Sequence, residues 1–328
     1  MNNLQLRFMT FDAGNGSRPG IETDQGVLDL IETQKLLVDR GLFDSTVAVP
    51  DSLLGIIEGG EPALEEVQQI LDLVNRGADV VSAHKPVGSF KWLAPIPLPR
   101  QNVLCLGINY ADHLAEAENL LGLPVQDSLQ AEAGGDSRPA LTMFSKRPNT
   151  VTGHHAPIPL HAGITDQIDY EAELACVMGR QGCNLSVAEA EDYLFGYTII
   201  NEVSARDLQV RHMQVFKGKS LDGYCPMGPV LVHKSAMIRT PAEGLALRSR
   251  INGQQRHNTS TAKLLYDVPT SISILSEGMT LYPGDVIATG NPFGSGISFD
   301  PPKYLNAGDR VEIEIEGIGV LSNSVADS

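Results

Sequence analysis

Cysteine is scarce in this sequence, and its four cysteines at positions 105, 176, 183 and 225 include no CxxC pair. Such sparse cysteines cannot build a disulfide scaffold, and buried cysteine commonly behaves as a small apolar side chain. We therefore expect reduced thiols in a cytoplasmic protein.

The sequence also lacks a long apolar run, a long basic block and a leader with a basic region before an apolar one. No stretch reaches the roughly 18 apolar residues that a membrane span needs. Acidic residues outnumber basic ones, 40 to 24, for a formal net charge of −16. This balance argues against nucleic acid and membrane partners, so small-molecule ligands are expected.

The remaining features predict a globular chain in two parts. With 328 residues, 42% of them hydrophobic, the chain is long enough for a substantial core. Apolar residues recur at helical spacing within 62–77, and the proline-rich stretch 90–100 is typical of an extended connector. We expect a smaller N-terminal α+β domain over 1–97 and a second domain over 98–328.

The second part is predicted to consist mainly of short strands bounded by Gly, Pro or Asp. Residues 311–316 alternate apolar and acidic side chains, as in a strand with one wet face. Two helices interrupt: Ser186 with Glu189 has capping-box spacing, and Ser204 with Asp207 has the related arrangement. The fold class is therefore α+β with a β-rich core.

The stretch DYEAELACVMG places Glu171 and Glu173 two residues apart in an apolar run. On a strand these side chains share a face, about 6.6 Å apart at the backbone. They could line a solvated face, but if they are buried and ionised they need a counter-charge such as a divalent metal ion. Glu202, at the end of the strand GYTIIN, adds a third carboxylate. Three oxygen ligands suit an open Mg²⁺ or Mn²⁺ site, which implies catalysis.

A series of motifs then identifies a resemblance that covers residues 100–322. In order they are GINYADHLAE, FSKRPNTVTG, DYEAELACVMGR, GYTIINEVSARDLQ, GKSLDGYCPMGP, PGDVIATGNPFGSG and AGDRVEIEIEGIGVLSNSV. Together they resemble the fumarylacetoacetate hydrolase (FAH) family. The resemblance implies an FAH-type mixed β-roll catalytic domain in a homodimer, one Mg²⁺, Mn²⁺ or sometimes Ca²⁺ ion, and a 2-oxo acid or diketone substrate.

The resemblance also implies roles for individual residues. The metal ligands are Glu171, Glu173 and Glu202, although the family usually has aspartate at the last position. The catalytic residues are Lys219, which would hold a substrate carboxylate or a developing enolate, and the pair His113 and Glu116, in which the glutamate orients the imidazole that activates water.

Further positions match family residues near the substrate. Arg206 and Asp207 also match family positions. Each of them could contact the substrate or form a structural ion pair. At Asn291 the family usually has threonine, so any hydroxyl contact made there is lost. The expected substrate-binding residues are Lys146, Gln209, Gly290 and Asn291.

The function expected from the resemblance is hydrolysis of a carbon–carbon bond in a 1,3-diketone or acylpyruvate-like 2-oxo acid. A decarboxylase of the oxaloacetate type, a hydratase or an isomerase on the same metal site is the alternative. Decarboxylation would use the same enolate without the water, so the fold and the metal site alone do not separate it from hydrolysis. A catalytically silent member that binds a metabolite is a further alternative.

Overall fold

Strands dominate the computed structural model, which describes residues 4–14, 16–45, 47–111 and 141–327. The strands are β1 (Arg7–Asp12), β2 (Ser17–Thr23), β3 (Gly26–Asp29), β4 (His84–Pro86), β5 (Lys91–Leu93), β6 (Val103–Gly107), β7 (Thr142–Lys146), β8 (Val151–Thr152), β9 (Ile158–Pro159), β10 (Ile168–Asp169), β11 (Ala172–Met178), β12 (Leu194–Asn201), β13 (Ser204–Ala205), β14 (Cys225–His233), β15 (Ala246–Ile251), β16 (Gln254–Ser260), β17 (Val286–Ala288), β18 (Arg310–Ile315) and β19 (Gly319–Ala326).

Helices are fewer than strands. In the same residue ranges they are α1 (Leu30–Asp39), α2 (Leu53–Glu58), α3 (Gly60–Asn75), α4 (Val187–Ala190), α5 (Arg206–His212), α6 (Val215–Lys219), α7 (Pro241–Gly244) and α8 (Val268–Ser276). Helix α3 covers the segment predicted from helical spacing, and it buries Val67, Ile70 and Val74. The predicted α+β class with a β-rich core is confirmed.

One large mixed sheet organises the described chain. Its strands follow the order β4-β3-β2-β1-β14-β12-β11-β17-β6-β7, with β5 added at β1 and β8 at β14. A smaller sheet has the order β16-β15-β18-β19-β9, and β10 pairs with β13. In β18, Val311, Ile313 and Ile315 are buried between glutamates, as the alternation predicts.

Strand β11 lies in the centre of the large sheet and is buried on both faces. Leu174 and Cys176 join the core that contains the smaller sheet, whereas Ala175 and Val177 join the core that contains the N-terminal helices. A strand covered on both faces reads as a continuous apolar run. The glutamates of this segment are therefore not on a solvated face.

The N-terminal strands continue the same large sheet. Strand β1 pairs antiparallel with β14, with Arg7 opposite Val232. The proline-rich stretch contains β5, which pairs with β1. The division of the chain at residue 97 stays a prediction.

Of two predicted helix caps, one is confirmed and the other is wrong. Ser186 caps α4 in a capping box with Glu189, as predicted. Ser204, in contrast, belongs to β13 and donates to the carbonyl of Glu202, while α5 begins after Ala205 without a side-chain cap. The predicted cap at Ser204 is wrong because pairing between β10 and β13 holds that residue in an extended conformation.

No helix within the described ranges is long and apolar enough to span a membrane.

Two buried histidines accept hydrogen bonds from backbone amides. His154 Nδ1 accepts from the N–H of Ser322 at 3.0 Å, and His233 Nδ1 accepts from the N–H of Ser235 at 3.2 Å. Burial lowers the pKa of His154 to about 3 and the pKa of His233 to about 4. Both rings are therefore neutral in the folded protein at pH 5, where the histidines of an unfolded chain, with a pKa near 6.5, are largely protonated.

Acid should consequently destabilise the fold through these rings. Between pH 6.5 and the lowered pKa the unfolded state binds more protons, so the free energy of unfolding falls with pH by at most about 1.4 kcal/mol per unit for each ring. We expect His154→Asn, which keeps an acceptor for Ser322, to reduce this slope in urea unfolding between pH 7 and 4.5. The exposed His212, changed to Asn, is the control. An unchanged slope for His154→Asn would contradict the assignment.

Candidate active site at a buried carboxylate cluster

Three glutamates converge at the end of the β11–β12 pair. Glu171 directly precedes β11, Glu173 lies within it, and Glu202 directly follows β12. The pairing extends beyond the strands, because the N–H of Glu202 donates to the carbonyl of Glu171 at 2.9 Å. One oxygen of each carboxylate lies within 4.8 Å of the others. We call Glu171, Glu173 and Glu202 the carboxylate cluster.

All three side chains of the carboxylate cluster are buried, with exposures of 3%, 0% and 1%. Lys219, at the end of α6, contacts two of them: its Nζ donates to Glu171 and, at 2.8 Å, to Glu202 Oε2. Arg206 Nη2 forms an ion-pair contact of 2.7 Å with Glu171 Oε1. The nearby cations therefore compensate the charge of Glu171 more than the charges of Glu202 and Glu173.

The pKa shifts follow this uneven distribution of charge. Burial raises the pKa of Glu173 well above its usual range, and the carboxylates of Glu202 and Glu171 raise it further. Burial also raises the pKa of Glu202, although Lys219 and Lys146 reduce the effect. At Glu171 burial acts in the same direction, but Lys219 and Arg206 outweigh it and hold the pKa well below its usual range.

Two carboxylate oxygens of the cluster accept no hydrogen bond from any residue that the structure describes: Glu173 Oε1 and Glu202 Oε1. The ammonium nitrogen of Lys146 lies 3.8 Å from Glu202 Oε1. Buried carboxylate oxygens without donors are costly unless a cation compensates them. An all-oxygen donor set suits hard divalent cations such as Mg²⁺, Mn²⁺ or Ca²⁺. The residues present thus fit a metal ion.

A cavity of about 550 Å³ opens beside the cluster, a volume typical of small-molecule sites. Its charged floor is formed by Glu171, Glu202, Arg206 and Lys219. The ammonium of Lys219 lies 5.1 Å from the ring centroid of Phe144, which forms part of one wall. The other residues that line the cavity are Leu106, Gly107, Ile108, Thr142, Met143, Gln209, Val210, Met213, Gln214, Val215 and Asn291.

Ile108 lies in the cavity wall with a φ of 53°. A β-branched residue rarely adopts this left-handed conformation, which costs roughly 1–3 kcal/mol and recurs at functional sites. The next residue holds it there: Asn109 donates to the carbonyls of Tyr266 and Thr289 and accepts from the N–H of Tyr266. Asn109 thus uses its side chain to anchor this wall.

The family follows from comparison with known proteins. Residues 102–326 match the model described as fumarylacetoacetate (FAA) hydrolase C-terminal, which is more than half of the chain. The chain belongs to the FAH family. The matched residues include all three glutamates of the carboxylate cluster.

Whole-length relatives support this assignment. The FAH-family chain is 40% identical over 322 residues to the oxaloacetate tautomerase YisK of Bacillus subtilis, covering 98% of this chain and 100% of the relative. A solved fumarylacetoacetate hydrolase from the psychrophile Exiguobacterium antarcticum is 36% identical, with a TM-score of 0.77 and coverage of 98% and 99%. The predicted FAH-type fold is confirmed.

A more distant solved structure has the same fold. It is a maleylpyruvate hydrolase from Sphingobium sp. SYK-6 in complex with manganese(II) and pyruvate, 23% identical with a TM-score of 0.71. The match covers 98% of this chain and 99% of the maleylpyruvate hydrolase chain.

The structure brings most of the predicted site residues of this FAH-family chain together. The three expected metal ligands form the carboxylate cluster, Lys219 touches it, and Gln209 and Asn291 line the cavity. The amide nitrogen of Gln209 is buried without a hydrogen-bond partner in the described ranges. These placements agree with the expected roles, which remain predictions.

Two expected substrate contacts have other partners. The N–H of Gly290 donates to Glu173 Oε2 at 2.8 Å, so in this conformation it holds a carboxylate of the cluster. Lys146 is fully buried, donates to the carbonyl of Val203 at 3.0 Å and does not line the cavity. His113 and Glu116 lie outside the described residues.

Sequence reasoning left Arg206 undecided and missed Asp169. Arg206 lines the cavity and also pairs with Asp169. The signal for Asp169 was its place at the start of the DYEAE stretch, two residues before Glu171.

Replacing Glu173 should separate metal binding from stability. Glu173→Gln removes a buried negative charge beside two others, so we expect thermal stability in EDTA to be unchanged or higher. The rise in melting temperature on adding Mn²⁺, expected for wild type because a ligand that binds only the folded state stabilises it, should be lost. Thermal unfolding with and without Mn²⁺ measures both effects.

Glu312→Gln is the matched control, because Glu312 comes from the other alternating stretch and is a half-buried glutamate of β18 that pairs with Arg310. It should keep the full Mn²⁺ response. A full response in Glu173→Gln would show that Glu173 is not a ligand.

Proposed function

We propose that this FAH-family protein is a divalent-metal-dependent enzyme that interconverts the enol and keto forms of a 2-oxo dicarboxylic acid of the oxaloacetate type. The observation that carries the proposal is the floor of the cavity, where the Lys219 ammonium contacts two of the three buried glutamates. The whole-length likeness to an oxaloacetate tautomerase supports the choice of reaction.

Tautomerisation needs neither water nor an oxidant. In the enol-to-keto direction an O–H bond breaks at C2 and a C–H bond forms at C3, and both directions pass through an enolate. The reaction is fastest where preorganised positive charge faces the enolate oxygen. A bound Mg²⁺ or Mn²⁺ ion would supply a Lewis acid for that oxygen.

Lys219 is suited to stabilise the enolate as a cation. Although burial lowers it, the carboxylates of Glu171 and Glu202 raise the pKa of Lys219 above its ordinary value. The side chain is thus a hydrogen-bond donor at neutral pH and cannot accept the carbon-bound proton. In our proposal that proton passes to His113, which Glu116 orients.

The other polar residues of the cavity would bind the substrate. Gln209 has a buried amide nitrogen without a partner in the described ranges, which suits a substrate carboxylate. Arg206 lines the same floor. Glu171, Glu173 and Glu202 would hold the metal ion.

The first test is the decay of enol oxaloacetate, followed by loss of enol absorbance with Mg²⁺ or Mn²⁺ and again with EDTA. We expect wild type to accelerate the decay only with metal, and without forming pyruvate. Faster pyruvate formation, detected with lactate dehydrogenase, would instead identify a decarboxylase. No acceleration of either process would overturn the proposal.

Lys219→Met tests the proposed catalytic charge. Removing one donor to an oxyanion typically lowers kcat by about 100- to 1000-fold, and we expect a loss of that size in the enol assay. Lys217→Met, on the same helix but exposed and away from the cavity, should keep wild-type activity. Equal activity of the two variants would exclude Lys219 from the reaction.

Hydrolysis of a carbon–carbon bond is the second candidate, because a fumarylacetoacetate hydrolase is 36% identical over 98% of the chain. This reaction requires an activated water, so it depends on His113 and Glu116. Acetylpyruvate cleavage by wild type, abolished in His113→Gln, would favour this candidate. Absence of cleavage beside rapid enol decay would favour the tautomerase.

The proposed setting of the enzyme is a homodimer in the cytoplasm. The four cysteines are free, which is consistent with a reducing compartment.

A further inference from the structure

A carboxylate outside the cluster, Asp169, lies at the end of β10 and is fully buried. Its Oδ1 accepts from the N–H of Tyr170 at 2.9 Å and of Gly296 at 2.6 Å. Its Oδ2 accepts from the N–H of Ile297 at 3.1 Å and from Arg206 Nε at 2.8 Å. Four donors and a guanidinium charge compensate its burial.

Asp169 shares Arg206 with a member of the carboxylate cluster. Arg206 Nη2 lies 2.8 Å from Asp169 Oδ2 and 2.7 Å from Glu171 Oε1. Asp169 accepts from the Nε of the guanidinium, and the Nη2 that contacts Glu171 is the nitrogen that also lies beside Asp169. Without that hold a guanidinium tends to form a two-point contact with a carboxylate, which here would engage both oxygens of Glu171.

The backbone around Asp169 leaves little freedom for this arrangement. A Cβ at Gly296 would lie 2.6 Å from Asp169 Oδ1 and 2.3 Å from the carbonyl oxygen of Lys303, so only glycine allows the close approach. Ser295, the preceding residue, accepts from the amide of Asn291 in the cavity wall at 2.9 Å. Asp169 thus links two sides of the cavity without lining it.

We propose that Asp169 is a positioning residue for the candidate metal site: by holding Arg206 it keeps Glu171 in the orientation that it shares with Glu173 and Glu202. The inference rests on the metal site of the proposed function. Residues that orient metal ligands typically contribute about 10- to 100-fold to metal affinity.

The test is Mn²⁺ binding to the full-length protein without substrate, with free Mn²⁺ measured by electron paramagnetic resonance. Asp169→Asn keeps size and hydrogen-bonding capacity but removes the charge that holds Arg206. We expect its Kd for Mn²⁺ to rise about 10- to 100-fold. Asp207→Asn is the matched control, since Asp207 follows Arg206 on α5 but accepts from Thr165, and it should bind as wild type.

A double-mutant cycle shows whether Asp169 acts through Arg206. Arg206→Lys keeps the positive charge but loses the planar guanidinium that contacts both carboxylates. Alone, it should also raise the Kd for Mn²⁺. In that background Asp169→Asn should add little. If Asp169→Asn does not fold, Arg206→Lys carries the test, and a wild-type Kd for Arg206→Lys overturns the proposal.

The remaining outcomes are distinct. A wild-type Kd for folded Asp169→Asn overturns the positioning role and leaves the metal site standing. Additive effects of the two changes also overturn it, because Asp169 would then act through the Gly296 loop. Absence of Mn²⁺ binding by wild type overturns the metal site, and this inference with it.

Discussion

Burial of three like charges within 4.8 Å is the constraint on which this structure depends. Each carboxylate of the cluster has left water, and their mutual repulsion is strongest in a dry site. At Glu171, Lys219 and Arg206 outweigh the effect of burial, so its pKa is lowered. Lys219 and Lys146 offset burial only in part at Glu202, and Glu173 is compensated least, so the pKa values of both are raised. A divalent cation bound by the three carboxylates would compensate all of them.

The sheet supplies the framework that makes this burial possible. Strands β11 and β12 are adjacent in its centre, and their pairing brings Glu171 and Glu202 together from positions 31 apart in the sequence. Cores on both faces keep water away from Glu173. The strained Ile108 in the cavity wall is held through Asn109, whose side chain donates to the carbonyl of Thr289 just after β17. The sheet thus presents a charged floor to the cavity, which is the arrangement that the proposed enolate chemistry needs.

Much of this was predictable from local sequence. The alternating glutamates of 311–316, the helix in 60–75 and the capping box at Ser186 follow from periodicity and spacing, and the structure has them. The carboxylate cluster was also predictable, because an ExE pair inside an apolar run conflicts with burial unless something compensates it. The family motifs then pointed to Lys219.

Other features depend on contacts between distant segments and left no local signal. Spacing alone suggested a cap at Ser204, but pairing with β10 places that residue in a strand. The Asp169–Arg206 pair joins positions 37 apart, and the pairing of β1 with β14 joins positions more than 200 apart. The roles of His113 and Glu116 rest on the resemblance alone.

The most direct test of the central claim is a crystal structure of the protein grown with Mn²⁺, using anomalous diffraction at the manganese edge. The account predicts one anomalous peak at bonding distance from an oxygen of each of Glu171, Glu173 and Glu202, with Lys219 beside it. No peak at the cluster, or a peak bound by other residues, would contradict it.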